Sequence, residues 1–130
     1  MLSHKFRFHG HGSLRYLYRN GQTVRNRTIL LKYCENKHRV HSRVAVVVGK
    51  KVAKSAVKRN RMRRRIFEVL RTHWDHIKPH HDLSFTVFTA EFLTMSPEEL
   101  EQNTISVLKQ AHLYSDVPAT TVTTDADLVE

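Results

Sequence analysis

The fold is decided by residues 44–67, which read VAVVVGKKVAKSAVKRNRMRRRIF. The β-branched run at 44–48 is typical of a central strand buried on both faces of a sheet. Gly-Lys-Lys at 49–51 ends that strand, and the spacing beyond it predicts one long helix over 56–77. The buried stripe of this helix recurs at helical spacing and comprises Met62, Ile66, Val69, Leu70, His73 and Ile77. A strand that leads into a long basic helix is therefore the centre of the predicted fold.

Two further helices flank this centre. The first is expected to begin at Ser13, which can cap its start, and to end at Gly21 in the left-handed conformation. The last begins at Ser96 and Pro97 and continues to about residue 113. Strands are predicted over 28–34 and 83–89, with a further short strand near 22–26. The order from this pattern is α-β-β-α-β-α, or one strand more if the segment near 22–26 also pairs, which is an α+β sandwich with few strands.

The length of 130 residues suits one domain. We expect a loose basic, His-rich arm over 1–12, a single domain over 13–114 and a disordered acidic tail over 115–130. Cys34 is the only cysteine, which excludes an intrachain disulfide. The first residues lack the apolar core of a signal peptide, and no apolar run approaches the roughly 20 residues that span a bilayer. The sequence thus predicts a soluble, cytoplasmic protein with no membrane partner.

Charge is distributed unevenly along the chain. The sequence has 22 Lys and Arg against 12 Asp and Glu, a formal net charge of +10 at pH 7. Residues 1–71 hold 20 of these bases and only two acids, Glu35 and Glu68. Such a block repels itself and is stabilised by a polyanion that supplies counter-charge. Nucleic acid is the expected partner, because a merely solvated surface intersperses acids among its bases.

The densest part of the basic block lies at 58–65 and reads KRNRMRRR. On a helix, Arg61, Arg64 and Arg65 project away from the apolar stripe. Arginine forks pair bidentately with phosphate oxygens, and Asn60 can donate and accept toward a base edge or a 2′-hydroxyl. The lysines at 50–51 enlarge the patch, although the GxxxxGK[ST] pattern of a P-loop is absent. The helix is therefore predicted to bind polyphosphate.

Three tyrosines are candidate stacking platforms for unpaired bases, namely Tyr16, Tyr18 and Tyr33. Tyr18 shares the apolar face of the first helix with Leu14 and Leu17, so packing in the core is an equal alternative there. Tyr33 alternates with Lys32, so one of the two is expected to reach the open face of the sheet.

Neither metal binding nor catalysis by side chains is indicated. The cluster of His73, His76, His80 and His81 lacks cysteine ligands and an H-E-x-x-H pattern, so we expect structural or surface histidines and no bound metal. The basic half contains no carboxylate pair and no nucleophile–base set. We therefore expect no catalytic residue in the protein.

The ordered set of motifs resembles the bacterial ribonuclease P protein subunit. Residues 55–64, SAVKRNRMRR, are similar to the family's Arg-Asn-Arg helix, which follows a strand ending in Lys-Lys. Residues 14–21 look like the family's first helix, and residues 24–27 look like its entry into the first strand. The resemblance covers about residues 13–114.

This resemblance implies an α-β-β-β-α-β-α sandwich, whose small mixed sheet has an unusual left-handed parallel crossover through the arginine-rich helix. It implies a subunit that assists a catalytic RNA in removing the 5′ leader of precursor tRNA, with the chemistry performed by the RNA and its Mg²⁺. No cofactor bound by the protein and no protein partner are expected. The catalytic RNA would contact Lys50, Lys51, Arg59, Asn60, Arg61, Arg63, Arg64 and Arg65. The leader would contact Leu14, Tyr18, Asn26, Arg27, Leu30, Lys32 and Tyr33.

The sequence departs from the family pattern at positions expected to recognise the leader and at one position of the basic helix. An aromatic residue is common in the family where Leu14 and Lys32 stand, so stacking would pass to Tyr33 or Tyr16. Phe67 replaces a commonly basic position of the helix.

The alternative function is a structural RNA-binding protein, such as a ribosomal protein or an RNA chaperone, which the charge block fits equally well. The order of elements and the Arg-Asn-Arg register favour the ribonuclease P subunit.

Overall fold

The computed structural model describes residues 11–37 and 41–116. Its helices are α1 (His11–Asn20), α2 (Ala56–Thr72) and α3 (Pro97–Gln110). Its strands are β1 (Gln22–Arg25), β2 (Ile29–Glu35), β3 (Arg43–Val48) and β4 (His81–Val87). Short 3-10 turns at Trp74–His76 and Ala90–Leu93 follow α2 and β4. The α+β class and the α-β-β-β-α-β-α order are confirmed.

The four strands form one mixed sheet in the order β1-β2-β4-β3. β2 pairs antiparallel with β1 and β4, whereas β3 pairs parallel with β4 through the crossover that contains α2. The prediction of a central strand at 44–48 was wrong, because β3 lies at the edge and Val47 is 37% exposed. β-Branched residues suit a pleated strand whether one or both faces are buried, so their run did not distinguish an edge from a centre.

The core lies between one face of the sheet, here called the inner face, and the helices α2 and α3. Strand register places alternate residues of the paired strands on this face: Ile29, Leu31, Val44, Val46, Val48, Leu83, Phe85 and Val87. Met62, Ile66 and Leu70 of α2 and Leu100 and Leu108 of α3 are buried against them. The predicted helical stripe is confirmed through Leu70, but α2 ends at Thr72 and Ile77 reaches the core from beyond the 3-10 turn.

The ends of α1 differ from the prediction. The helix begins at His11, so Ser13 lies inside it and is not its cap. The backbone of Gly21 does not adopt the left-handed conformation. Glycine is required there by close approach instead, because a Cβ atom would lie 2.5 Å from the carbonyl oxygen of Leu17 and 3.0 Å from that of Tyr33. Gly21 therefore lets the end of α1 lie directly against β2.

The cap of α3 is confirmed, since Ser96 Oγ accepts a hydrogen bond from the Glu99 N–H at 3.2 Å. A matching cap at the start of α2 was missed: Ser55 Oγ accepts from the Lys58 N–H at 3.4 Å. Among the described helices, none combines the length and the hydropathy that a membrane span requires.

The predicted arm at 1–12 and tail at 115–130 lie outside the described residues except at their inner ends. His11 and Gly12 belong to α1. The Ser115 N–H donates to the His76 carbonyl oxygen at 2.8 Å, so ordered chain continues beyond residue 114.

Candidate nucleic-acid interface

A group of exposed cations surrounds the start of α2 and is called the basic surface below. It consists of the side chains of Lys50, Lys51, Lys54, Lys58, Arg61 and Arg64. Within residues 11–37 and 41–116, no hydrogen bond or ion pair reaches any of these six side chains. Like charges grouped on one surface repel one another, so their free energy falls when an anion is placed among them. The arrangement is suited to a polyphosphate backbone.

The other arginines of α2 are engaged within the protein. Arg59 Nη1 donates to the carbonyl oxygens of Ala53 and Lys54 at 2.8 and 2.9 Å, which closes the loop between β3 and α2. Arg65 Nη2 donates to the Met95 carbonyl oxygen at 2.8 Å and thereby ties α2 to the segment before α3. Contact with RNA remains a prediction for these two arginines. The structure shows that each also makes a contact within the protein.

Asn60 and Arg63 form a pair on the same helix, in which Arg63 Nη2 donates to Asn60 Oδ1. About two turns further on, Arg71 and Glu68 form an exposed ion pair with a distance of 2.9 Å between Nη2 and Oε2. The Arg71 guanidinium holds the pKa of the Glu68 carboxyl well below its usual range. Glu68 is therefore a carboxylate at neutral pH and partly offsets the charge of the basic block.

A second surface, called the cleft below, lies between α1 and the outer face of the sheet, the face opposite the core. Strand register places Leu30 beside Thr86 and Lys32 beside Ser84 on this face. The Tyr18 hydroxyl lies 3.2 Å from Ser84 Oγ, and Lys32 Nζ lies 5.6 Å from the centroid of the Tyr18 ring. Tyr18 remains 42% exposed, so it is not a core residue, while its hydroxyl contact with Ser84 holds it against the sheet.

The choice between Lys32 and Tyr33 is settled by the pleat of β2. Because Lys32 lies opposite Ser84 on the outer face, Tyr33 points to the other face, where it packs against the core. The Tyr33 hydroxyl donates to Gln22 Oε1 at 2.8 Å. The structure thus does not bring Tyr33 to the cleft, whereas Leu14 lies one helical turn before Tyr18 on the same side of α1.

Asn26 and Arg27 also lie away from the cleft residues. Asn26 Oδ1 accepts from the backbone N–H groups of Thr28 and Ile29 at 2.9 and 3.0 Å, and its amide donates to the Asn103 carbonyl oxygen at 3.0 Å. Asn26 therefore builds the turn between β1 and β2 and fastens it to α3. Arg27 is exposed and lies 3.4 Å from Glu91.

Sequence reasoning missed the far end of the cleft. Phe88 continues the outer alternation of β4 and is 39% exposed, with the Arg25 guanidinium 5.7 Å from its ring centroid. Val47 of the edge strand lies beside Thr86 on the same face. The alternation of Ser84, Thr86 and Phe88 along the strand was the available signal for this surface.

The histidines near the end of α2 are tied to protein groups. His73 Nδ1 lies 2.9 Å from the Tyr114 hydroxyl and its Nε2 lies 2.7 Å from Glu101 Oε1, while His76 stacks on the Tyr114 ring. His81 is buried, with Nδ1 2.8 Å from the Pro79 carbonyl oxygen. In the part of the chain that the structure describes, no three His, Cys, Asp or Glu residues are grouped to hold a metal ion.

Comparisons with known proteins agree with this geometry. A family model described as Ribonuclease P matches residues 2–112. The chain is 35% identical over 103 residues to the ribonuclease P protein component of Lactobacillus delbrueckii subsp. bulgaricus, covering 78% of this chain and 84% of the relative. It is 34% identical over 134 residues to that of a Synechococcus strain, covering 97% of this chain and 98% of the relative.

Solved structures show the same fold. The RNase P protein of Staphylococcus aureus is similar with a TM-score of 0.77 and 27% identity, covering 85% of this chain and 98% of that chain. The RNase P protein of Thermotoga maritima has a TM-score of 0.73 at 20% identity, covering 80% of this chain and 96% of that chain. The second likeness concerns the fold alone.

Proposed function

The chain belongs to the ribonuclease P protein family, and on that premise we propose that it holds the catalytic RNA on the basic surface and the precursor tRNA leader in the cleft. The protein is a subunit of ribonuclease P, the endoribonuclease that removes the 5′ leader of tRNA, and it works with the ribonuclease P RNA. The observation that carries the proposal is the basic surface, whose six exposed cations have no ion-pair or hydrogen-bond partner among the described residues.

The basic surface suits a folded RNA because its recognition depends on phosphate. Arg61 and Arg64 lie one turn apart on α2, so both guanidinium groups can approach the same stretch of backbone. Arginine pairs bidentately with phosphate oxygens, and each phosphate that is neutralised releases bound counterions. This binding is independent of base sequence, which suits a subunit that recognises one structured RNA by shape.

The cleft suits an unpaired strand because it combines a ring, a cation and an apolar floor. Tyr18 offers a ring face on which a base can stack, and Lys32 beside it offers a cation to the backbone. Leu30, on the outer face of β2, supplies the apolar floor of the cleft. The leader is the single-stranded part of precursor tRNA, so it is the segment that we place here.

We assign the chemistry to the RNA and its Mg²⁺, since the two acids of the basic half are paired elsewhere. Glu68 is held by Arg71, and Glu35 lies 3.8 Å from Lys37 Nζ at the end of β2. The residues proposed to bind RNA supply charge and stacking and no general base. A role in tRNA maturation would place the protein in the cytoplasm, and we invoke neither a protein partner nor a cofactor of its own.

The proposal is tested with 5′-labelled precursor tRNA and the cognate catalytic RNA at low Mg²⁺, with and without the protein. We expect a large protein-dependent gain in cleavage at the mature 5′ end and no cleavage by the protein alone. Tight RNA binding without a gain would indicate a ribosomal or RNA-chaperone function. Cleavage by the protein alone would overturn the assignment of chemistry to the RNA.

A further inference from the structure

A groove of about 450 Å³ lies between α2 and α3 and is separate from the cleft. Its apolar floor is formed by Val69 of α2 and by Pro97 and Leu100 of α3. Apolar floors of this kind accept the face of a flat ring, because the face is the part of a nucleobase that gains most from leaving water.

The two ends of the groove differ in charge. Arg61 and Arg64 line it toward the start of α2, and neither side chain is paired within the described ranges. Glu68 lines the groove one turn beyond Arg64, where Arg71 holds it in an ion pair. Glu101 lines the other end, where its Oε1 lies 2.7 Å from His73 Nε2. From Arg64 to His73 the helix rises about 14 Å. Because Arg71 already neutralises Glu68, Glu101 is the carboxylate available to a base, and it lies well away from the two arginines.

We propose that this groove receives one unpaired guanine nucleotide of the partner RNA. Its phosphate lies against Arg61 and Arg64, its base covers Val69 and Leu100, and its Watson–Crick N–H groups donate to Glu101. The inference rests on the proposed function in taking RNA as the partner. It adds a base-reading site to a surface whose other contacts recognise phosphate alone.

The choice of guanine follows from the carboxylate. A carboxylate only accepts hydrogen bonds and repels phosphate, so it selects the edge of a base that presents donors. Guanine presents two adjacent donors, N1–H and the N2 amino group, whereas adenine and cytosine each present one amino group. His73 fixes Oε1 while Glu101 stays 49% exposed, so the carboxylate is oriented and still accessible from the groove.

The test uses the full chain with ¹³C-labelled Val and Leu methyl groups, titrated with the pentaribonucleotides UUGUU and UUAUU. We expect UUGUU to shift the methyl signals of Val69 and Leu100 with a Kd about fivefold lower than UUAUU, the minimum expected of a two-donor contact. Glu101→Gln places an amide donor against the guanine donors and should reduce this preference to about twofold or less.

Glu98→Gln is the matched control, because Glu98 lies in the first turn of the same helix, is exposed and does not line the groove. It should keep the preference for UUGUU, and thermal unfolding of both variants checks that the fold is retained. Shifts confined to the Leu30 methyl signals of the cleft, or equal behaviour of the two variants, would overturn the inference.

The cleavage assay keeps the two proposals separable. Protein-dependent cleavage without guanine binding in the groove removes the base-reading site and leaves the proposed function intact. Guanine binding in the groove without protein-dependent cleavage supports the site and removes the proposed function.

Discussion

The basic surface of α2 presents its charge to solvent, whereas the cleft beneath α1 holds its lysine against an aromatic ring. No described side chain pairs with Arg61 or Arg64, while Lys32 Nζ lies 5.6 Å from the Tyr18 ring centroid. Unpaired charge binds phosphate through counterion release and is sensitive to salt, whereas a ring binds a base by stacking and is not. One domain thus presents two surfaces that would bind separate parts of an RNA by different physical means.

The largest effect is expected from removing charge at the basic surface. Arg61→Ala with Arg64→Ala should weaken binding to the catalytic RNA by about 3 kcal/mol or more, since each charge-assisted hydrogen bond contributes about 1.5–3 kcal/mol. The slope of log K against log salt should fall by about 2. Filter binding over a series of KCl concentrations measures both quantities.

The control for this double variant is Lys78→Ala with Lys109→Ala, which removes the same charge from exposed positions outside the basic surface. Its slope should stay near that of the unchanged protein. An unaltered slope in the double arginine variant would show that these two side chains do not touch phosphate.

A smaller and more selective loss is expected in the cleft. Tyr18→Ala should weaken holoenzyme binding of precursor tRNA by about 1–3 kcal/mol, the contribution of one stacked base, and leave mature tRNA unaffected. Tyr18→Phe keeps the ring and should retain most of the affinity. Tyr16 is the other candidate platform on this helix, but it is 61% exposed and has no ring contact with Lys32 among the described residues, so Tyr16→Ala should keep the affinity and serves as the control. Equal losses on both tRNAs would place Tyr18 in a purely structural role.

Asn26 lies outside both surfaces and should affect stability instead of binding. Asn26→Ala leaves the N–H groups of buried Thr28 and Ile29 without their acceptor, which should cost about 1–3 kcal/mol in the free energy of unfolding. Urea unfolding measures this cost, and Asn20→Ala, at an exposed position on α1, serves as the control. A fall in leader affinity at unchanged stability would return Asn26 to the leader-binding set.

The sequence predicted the basic surface more completely than the cleft. Arg61 and Arg64 could be placed because the apolar stripe of α2 fixes which side of the helix faces solvent. The cleft depends on the strand register and on the position of α1 on the sheet, and both are set by contacts between residues far apart in sequence. Tyr18 lies 66 positions from its partner Ser84, so no local pattern could join them.

The errors have the same origin. The run at 44–48 indicated a strand but not its place in the sheet, because the order β1-β2-β4-β3 depends on a crossover. For Asn26, which is predicted to contact the leader, no sequence pattern indicated the amide contact that fastens the β1–β2 turn to α3 across 77 positions. Local propensity specifies which element forms, and packing decides which side chains remain available for a ligand.

The smallest effect separates two neighbours that sequence alone does not distinguish. Arg65 donates to the Met95 carbonyl oxygen at 2.8 Å, whereas Arg64 is exposed and unpaired within the described residues. Arg65→Ala should therefore lower the free energy of unfolding by about 1 kcal/mol, the usual contribution of one hydrogen bond, while Arg64→Ala should leave it unchanged. Binding to the catalytic RNA should show the opposite order, with the larger loss in Arg64→Ala. Both variants are measured for unfolding and for RNA affinity. If the structural role belongs to Arg65 and the RNA contact to Arg64, the variant that loses more stability loses less affinity. If the two variants lost RNA affinity to the same extent, the Arg65 bond to Met95 would have to give way when RNA binds, so that both arginines serve the basic surface.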